Sequence, residues 1–140
     1  MMFLLDTNVI SELRRPARAD SNVLAWARSR AVSDFHLSAI SILELEIGTL
    51  RLARKDASQA ETLRRWIDTV VLAQFEGRIH PVDIAVAQRC ARLHVPDPRA
   101  DRDALIAATA ELHGMTVVTR NVQDFKPLGV SILNPWIARA

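Results

Sequence analysis

The sequence has 140 residues, the size of one compact domain, and 49% of them are hydrophobic against 24% charged. This balance excludes a disordered chain, and the low glycine content excludes a collagen-like repeat. The formal net charge of +2 neither requires nor excludes a nucleic-acid partner. We therefore expect a single domain over residues 1–140.

In chain order, short apolar segments alternate with longer segments whose apolar residues recur at helical spacing. Predicted strands cover residues 3–5, 34–37, 79–82, 115–119 and 130–133. Predicted helices cover residues 9–14, 20–30, a segment ending near 53, then 57–73, 83–93 and 101–113. Ser38 and Ser41 are both candidates to cap the helix that ends near Ala53, and Gly114 is expected to end the helix 101–113. Wholly apolar strands separated by helices predict a three-layer α/β/α sandwich around a mainly parallel sheet.

Several classes of site are absent from the sequence. Cys90 is the only cysteine, which fits a reducing cytoplasm, and His36, His80, His94 and His113 lack the spacing of zinc ligands. No apolar run is long enough to cross a membrane. No glycine-rich phosphate loop occurs. We expect a cytoplasmic protein without a membrane segment.

Polar residues follow two predicted strands directly. Asp6, Thr7 and Asn8 follow the first strand, and Thr119 and Asn121 follow the strand 115–119, with Asp124 one turn later. Ligands of parallel sheets bind outside the carboxyl ends of the strands. We therefore expect these two groups to meet at one edge of the sheet.

Acidic residues on two predicted helices are candidates for the same edge. Glu44 and Glu46 lie in an apolar helix and point in nearly opposite directions, so at most one faces the edge, and periodicity does not choose between them. Gly48, one turn from Glu44, would permit a close approach and favours Glu44. Asp103 opens a helix face that continues with small and apolar residues.

Each acid also has a simpler explanation. Asp6 or Asn8 can cap a helix, Asp103 suits a helix dipole, and Asp124 can belong to a turn. A group of carboxylates at one edge repels itself, however, and hard divalent cations relieve that repulsion. Oxygen ligands alone predict Mg²⁺ or Mn²⁺ rather than zinc.

The order of these motifs resembles the PIN-domain ribonucleases, especially the VapC and FitB toxins of bacterial toxin–antitoxin pairs. The resemblance rests on five segments: residues 3–12, 37–48, 103–110, 116–125 and 134–136. It implies that Asp6, Glu44 and Asp103 are catalytic metal ligands, which selects Glu44 over Glu46. Relatives differ at the fourth position, for which we expect Asp124 as the acid and Asn121 as a polar support. Thr7, Asn8 and Thr119 would orient ligands or water.

The same resemblance implies metal-dependent RNA cleavage with one or two Mg²⁺ or Mn²⁺ ions per site. It also implies a homodimer and an antitoxin whose tail enters the acidic groove. The helices 40–53 and 60–73 carry more apolar surface than one small sheet can cover, which also predicts contact with an identical subunit or a partner chain. Arg14, Arg15 and Arg51 are candidates to bind the RNA backbone.

Two other functions compete with this hypothesis. A haloacid-dehalogenase-type phosphatase needs a second Asp two residues after the first, where this chain has Asn8. The stronger alternative is a catalytically silent PIN-like module that acts through its partner protein, but every expected acidic position has a candidate residue.

Overall fold

The computed structural model describes residues 1–138, so the last two residues of the predicted domain lie outside it. Five parallel strands form one sheet in the order β3-β2-β1-β4-β5. The strands are β1 (Phe3–Leu5), β2 (Phe35–Ser38), β3 (Ile79–His80), β4 (Thr116–Val118) and β5 (Ile132–Leu133). The register pairs Phe3 with Phe35 on one side and with Thr116 on the other.

Eight α-helices connect and cover these strands over residues 1–138. They are α1 (Thr7–Leu13), α2 (Ser21–Arg28), α3 (Ala39–Ala53), α4 (Ala57–Trp66), α5 (Leu72–Gln74), α6 (Ile84–Leu93), α7 (Asp101–His113) and α8 (Val122–Phe125). A π-helical segment, Ile67–Val71, joins α4 to α5, so the helix predicted over residues 57–73 is continuous but changes its winding. The predicted α/β/α fold is confirmed.

Alternate side chains of β1 enter two separate cores, as the two-residue period of a strand requires. Phe3 and Leu5 join the core beneath α1, α2 and the π-helical segment, where Trp26 packs edge-on to Phe3 with ring centroids 5.2 Å apart. Leu4 joins the opposite core with Ile106 of α7. Because both faces of the strand are buried, its sequence is wholly apolar and not alternating.

Local sequence determines where the main helices begin and end. Ser38, and not Ser41, caps α3, because its Oγ accepts a hydrogen bond from the backbone N–H of Ile40 at 3.0 Å. Gly114 ends α7 with a φ of 68°, a left-handed conformation that glycine adopts without steric cost. Within residues 1–138 no helix is both long and apolar enough to cross a membrane.

Candidate active site

The site lies where the order of the strands reverses. β1 is bonded to β2 on one side and to β4 on the other, so the connections that leave β1 and β4 diverge at their carboxyl ends. The backbone N–H of Asp6 donates to Val118 O at 2.9 Å and holds these two ends together. Such reversal points form the binding crevices of open parallel sheets.

Asp6 is the most enclosed carboxylate of the site, with 5% of its surface exposed. Its Oδ1 accepts from the backbone N–H of Thr7 at 2.8 Å, so it caps α1. Its Oδ2 accepts from Thr119 Oγ1 at 2.8 Å and from Asn8 Nδ2 at 3.3 Å. The capping role and the place in the site therefore coexist in one residue.

Glu44 and Glu46 point away from each other across α3, as their spacing predicts. Thr7 Oγ1 donates to Glu44 Oε1 at 2.7 Å, which attaches Glu44 to the Asp6 side. Glu46 instead forms a two-pronged ion pair with Arg64 of α4, and the hydrogen bonds from Arg64 lower the pKa of Glu46. No part of the described chain approaches Gly48, because a Cβ atom there would meet nothing within 4 Å, so the contact with Thr7 and not packing at Gly48 distinguishes Glu44 here.

Asp103 and Asp124 complete the acidic group from α7 and α8. The pKa of Asp103 is raised to about 6, mainly by burial and then by the negative charges of Asp6, Asp124 and Glu44 in that order of importance. The pKa of Asp6 is also raised, mainly by burial, although its hydrogen bonds from Thr119 and Thr7 oppose the shift. Asp103 and Asp124 line an open cleft of about 270 Å³. The structure thus brings all four predicted acids within electrostatic reach of one another.

The predicted supporting residues belong to one hydrogen-bond network. Thr119 Oγ1 accepts from the backbone N–H of Asn121 at 2.9 Å and from Asn8 Nδ2 at 3.4 Å. Asn8 Oδ1 in turn accepts from the backbone N–H of Arg120 at 3.3 Å. Asn121 contributes its backbone, whose carbonyl also accepts from the N–H of Asp124 at 3.1 Å. This network ties the loop after β4 to the loop after β1.

The donor set fits a hard divalent cation. The four side chains present only carboxylate oxygens, and the raised pKa values of Asp6 and Asp103 reflect burial and the negative charge of the neighbouring carboxylates. Within residues 1–138 no three His, Cys, Asp or Glu side chains converge closely enough to enclose an ion by themselves. In proteins Mg²⁺ keeps several of its waters and is usually held by one or two carboxylates together with a substrate phosphate.

The arginines proposed from the sequence for RNA binding lie away from the acids. Arg14 and Arg15 follow the end of α1, whereas Asp6 caps its start, and the Arg14 guanidinium stacks over the Trp66 ring at 5.7 Å. Arg51 is exposed in the last turn of α3. None of the three lines the cleft beside Asp103. Along the helix axes, Arg14 lies about 12 Å from Asp6 and Arg51 about 10 Å from Glu44, at a rise of 1.5 Å per residue.

Three histidines that are far apart in the sequence lie next to one another in the structure. His36 Nδ1 lies 2.9 Å from His80 Nε2, and the rings of His80 and His113 are 4.6 Å apart. The adjacency of β2 and β3 and the end of α7 bring these three together, although they are far apart in the sequence. Only the order of strands in the sheet could have signalled this.

The fold and this site define the PIN-domain family, and the chain belongs to it: the PIN domain model matches residues 3–128. Among its relatives, Toxin FitB of Neisseria gonorrhoeae is 38% identical over 96% of this chain and 99% of its own. VapC ribonuclease Y4jK of Sinorhizobium fredii is 37% identical over 96% of this chain and 98% of its own. The crystal structure of FitAcB from Neisseria gonorrhoeae superposes with a TM-score of 0.87 at 38% identity, covering 96% and 99% of the two chains.

Proposed function

We propose that the chain is a divalent-metal-dependent endoribonuclease and the toxin of a toxin–antitoxin pair. The observation that carries this proposal is the group of four interacting carboxylates at the sheet reversal, in which the pKa of Asp103 is raised to about 6. The names of the relatives, a toxin and a ribonuclease, support it. A phosphodiester would not approach such a group without cations to offset its charge.

In this proposal Asp6, Glu44, Asp103 and Asp124 hold one or two Mg²⁺ or Mn²⁺ ions. A divalent ion bound there would offset the charge of the phosphate, lower the pKa of a bound water and stabilise the leaving oxygen. The chain itself orients the carboxylates through hydrogen bonds. Thr119 Oγ1 donates to Asp6 Oδ2 at 2.8 Å, and Thr7 Oγ1 donates to Glu44 Oε1 at 2.7 Å. In-line attack by water would leave a 5′ phosphate and a 3′ hydroxyl.

The proposed partners are an antitoxin and a second copy of the chain. An antitoxin tail that carries an arginine would complement the charge of the four carboxylates and compete with metal and RNA. Apolar side chains left exposed on α3 favour contact with another protein surface, since Leu43 and Leu50 are 45% and 68% exposed.

Purified protein incubated with total RNA tests the activity. We expect cleavage with Mg²⁺ or Mn²⁺ and none in EDTA, and sequencing of the ends should find 5′ phosphates. If the folded chain cleaves no RNA with either metal, the proposal is wrong and the catalytically silent binding module gains support.

Two matched pairs of variants test the site. Asp103→Asn should lower the cleavage rate by at least about a hundredfold, the upper range for loss of a residue that supports a metal, whereas Asp101→Asn in the same helical turn should not. Glu44→Gln should impair cleavage, whereas Glu46→Gln should not. Circular dichroism confirms folding of each variant. Equal activity within either pair would contradict the assignment.

A further inference from the structure

Two further arginines lie close to the acidic residues of the site. Arg99 lies in the segment just before α7, and Arg102 lies in the first turn of that helix, next to Asp103. Arg99 lines the cleft that Asp103 and Asp124 form, and Arg102 lies beside Glu44. Their positions differ from those of Arg14, Arg15 and Arg51, which lie at the far ends of α1 and α3.

Arg99 is built into the wall of the cleft. It lines the cleft of about 270 Å³ together with Asp103 and Asp124, and its backbone N–H donates to His94 Nδ1 at 3.1 Å. Its Nε is shielded from solvent and has no hydrogen-bond acceptor within residues 1–138. A guanidinium N–H that is buried without an acceptor is costly, so the Arg99 side chain would gain by turning toward an anion that enters the cleft.

Arg102 is only loosely engaged. Its Nη1 lies 3.8 Å from Glu44 Oε2, which is an ion pair but too long for a hydrogen bond. Half of the Arg102 side chain is exposed, so solvent screens this attraction. Its planar set of donors can therefore turn to a stronger anionic acceptor at little cost.

The chemistry of an RNA backbone matches these two side chains. A metal held by the carboxylates offsets charge at the reacting phosphate, but the neighbouring phosphates still meet an acidic surface. Arginine binds phosphate oxygens through paired, charge-assisted hydrogen bonds. We propose that Arg99 and Arg102 form a phosphate-binding subsite that holds the RNA backbone beside the cleaved bond; this rests on the proposed ribonuclease function.

Steady-state cleavage of a short fluorescent RNA tests the subsite in the full chain. Arg99→Gln and Arg102→Gln should each raise KM about tenfold or more, because they remove charge-assisted contacts to substrate, and Arg99→Gln, which lacks a contact with Glu44, should leave kcat within about twofold. Arg65→Gln is the control, since Arg65 is an exposed arginine on α4, on the opposite face of the sheet. Arg99→Lys and Arg102→Lys should recover part of the loss.

RNA binding measured by fluorescence anisotropy in Ca²⁺, over a range of KCl concentrations, gives a second readout. Each Arg→Gln variant should reduce the slope of log affinity against log salt by about 0.7, the value for one phosphate contact on a single strand. A purely structural role for Arg102, as a counter-ion of Glu44, would lower thermal stability without changing this slope. Thermal unfolding of every variant separates the two roles.

The outcomes distinguish this inference from the proposed function. Cleavage by the unmodified chain together with unchanged KM and salt slope in both Arg→Gln variants would overturn the subsite alone. If the unmodified chain binds RNA but does not cleave it, the ribonuclease proposal fails, and the anisotropy arm still decides the subsite. If it binds no RNA, both are wrong.

Discussion

At the scale of single residues, Thr119 is the point on which the site depends most. Its hydroxyl donates to Asp6 Oδ2 at 2.8 Å and accepts from the backbone N–H of Asn121 at 2.9 Å. Thr119 is fully buried, so solvent cannot replace its bond to Asp6. That hydrogen bond favours the ionised form of Asp6 and holds its carboxylate in position.

Replacing Thr119 tests that dependence. Thr119→Val keeps the shape of the side chain but removes the hydroxyl, which takes the shorter of two hydrogen bonds from Asp6 Oδ2 and removes the acceptor of the Asn121 N–H. We expect the free energy of unfolding in urea to fall by about 1–3 kcal/mol, the range for an unsatisfied buried group.

Thr119→Ser is the matched control, because it retains the hydroxyl and loses only a methyl group. Its loss of stability should be clearly smaller than that of Thr119→Val. Equal losses in the two variants would mean that packing, and not the hydrogen bond, makes Thr119 important.

At the scale of elements, α3 directs two acids that are two residues apart in the sequence toward opposite sides of the helix. Glu44 faces Thr7 of α1, and Glu46 faces Arg64 of α4, so one helix serves the site on one side and packing against α4 on the other. Glu46 and Arg64 are each about one-third exposed, so their pair contributes only a modest stabilisation. This arrangement makes Glu44 and Glu46 a natural comparison.

Two glycines in helical context should respond to the same substitution in opposite ways. Gly48 lies inside α3, and an added Cβ would meet nothing within 4 Å, so Gly48→Ala should stabilise the fold by about 0.5–1 kcal/mol. Gly114 has a φ of 68°, so Gly114→Ala should destabilise it by about 1 kcal/mol. Midpoints of thermal unfolding check both signs, and a loss of stability in Gly48→Ala would show that another surface contacts that position.

At the scale of the whole molecule, part of the apolar surface of α3 is not covered by the rest of the described chain. Leu43 and Leu50 are seven residues apart and therefore lie on the same side of the helix. Both are exposed, as the excess of apolar residues in this helix predicts. We expect this surface to contribute to the proposed homodimer.

Sedimentation at micromolar concentration without antitoxin tests the assembly. The unmodified chain should sediment as a dimer, and the double variant Leu43→Glu, Leu50→Glu should shift toward monomer, because four buried charges per dimer oppose association. Ala91→Glu is the control, because Ala91 is an exposed residue of α6, and this variant should remain dimeric. A monomer for the unmodified chain would contradict the homodimer.

Much of the architecture could be predicted because it depends on local patterns. Apolar runs such as Phe3–Leu5 indicated the strands, Gly114 indicated the end of α7, and the polar residues after β1 and β4 indicated the edge at which the acids lie. The choice between Ser38 and Ser41 as the cap was open, because both precede the same apolar helix and only backbone geometry distinguishes them.

The sequence by itself determined the α/β/α fold, the sheet edge and the acids gathered there, because periodicity and strand ends are local properties. The tertiary structure alone decided which contacts those acids make. Thr7 meets Glu44, Arg64 meets Glu46, and Arg99 reaches the cleft through packing between elements far apart in the chain. The meeting of His36 with His80 had the same origin, since it depends on which strands become neighbours. Spacing along one chain carries no direct record of such neighbours.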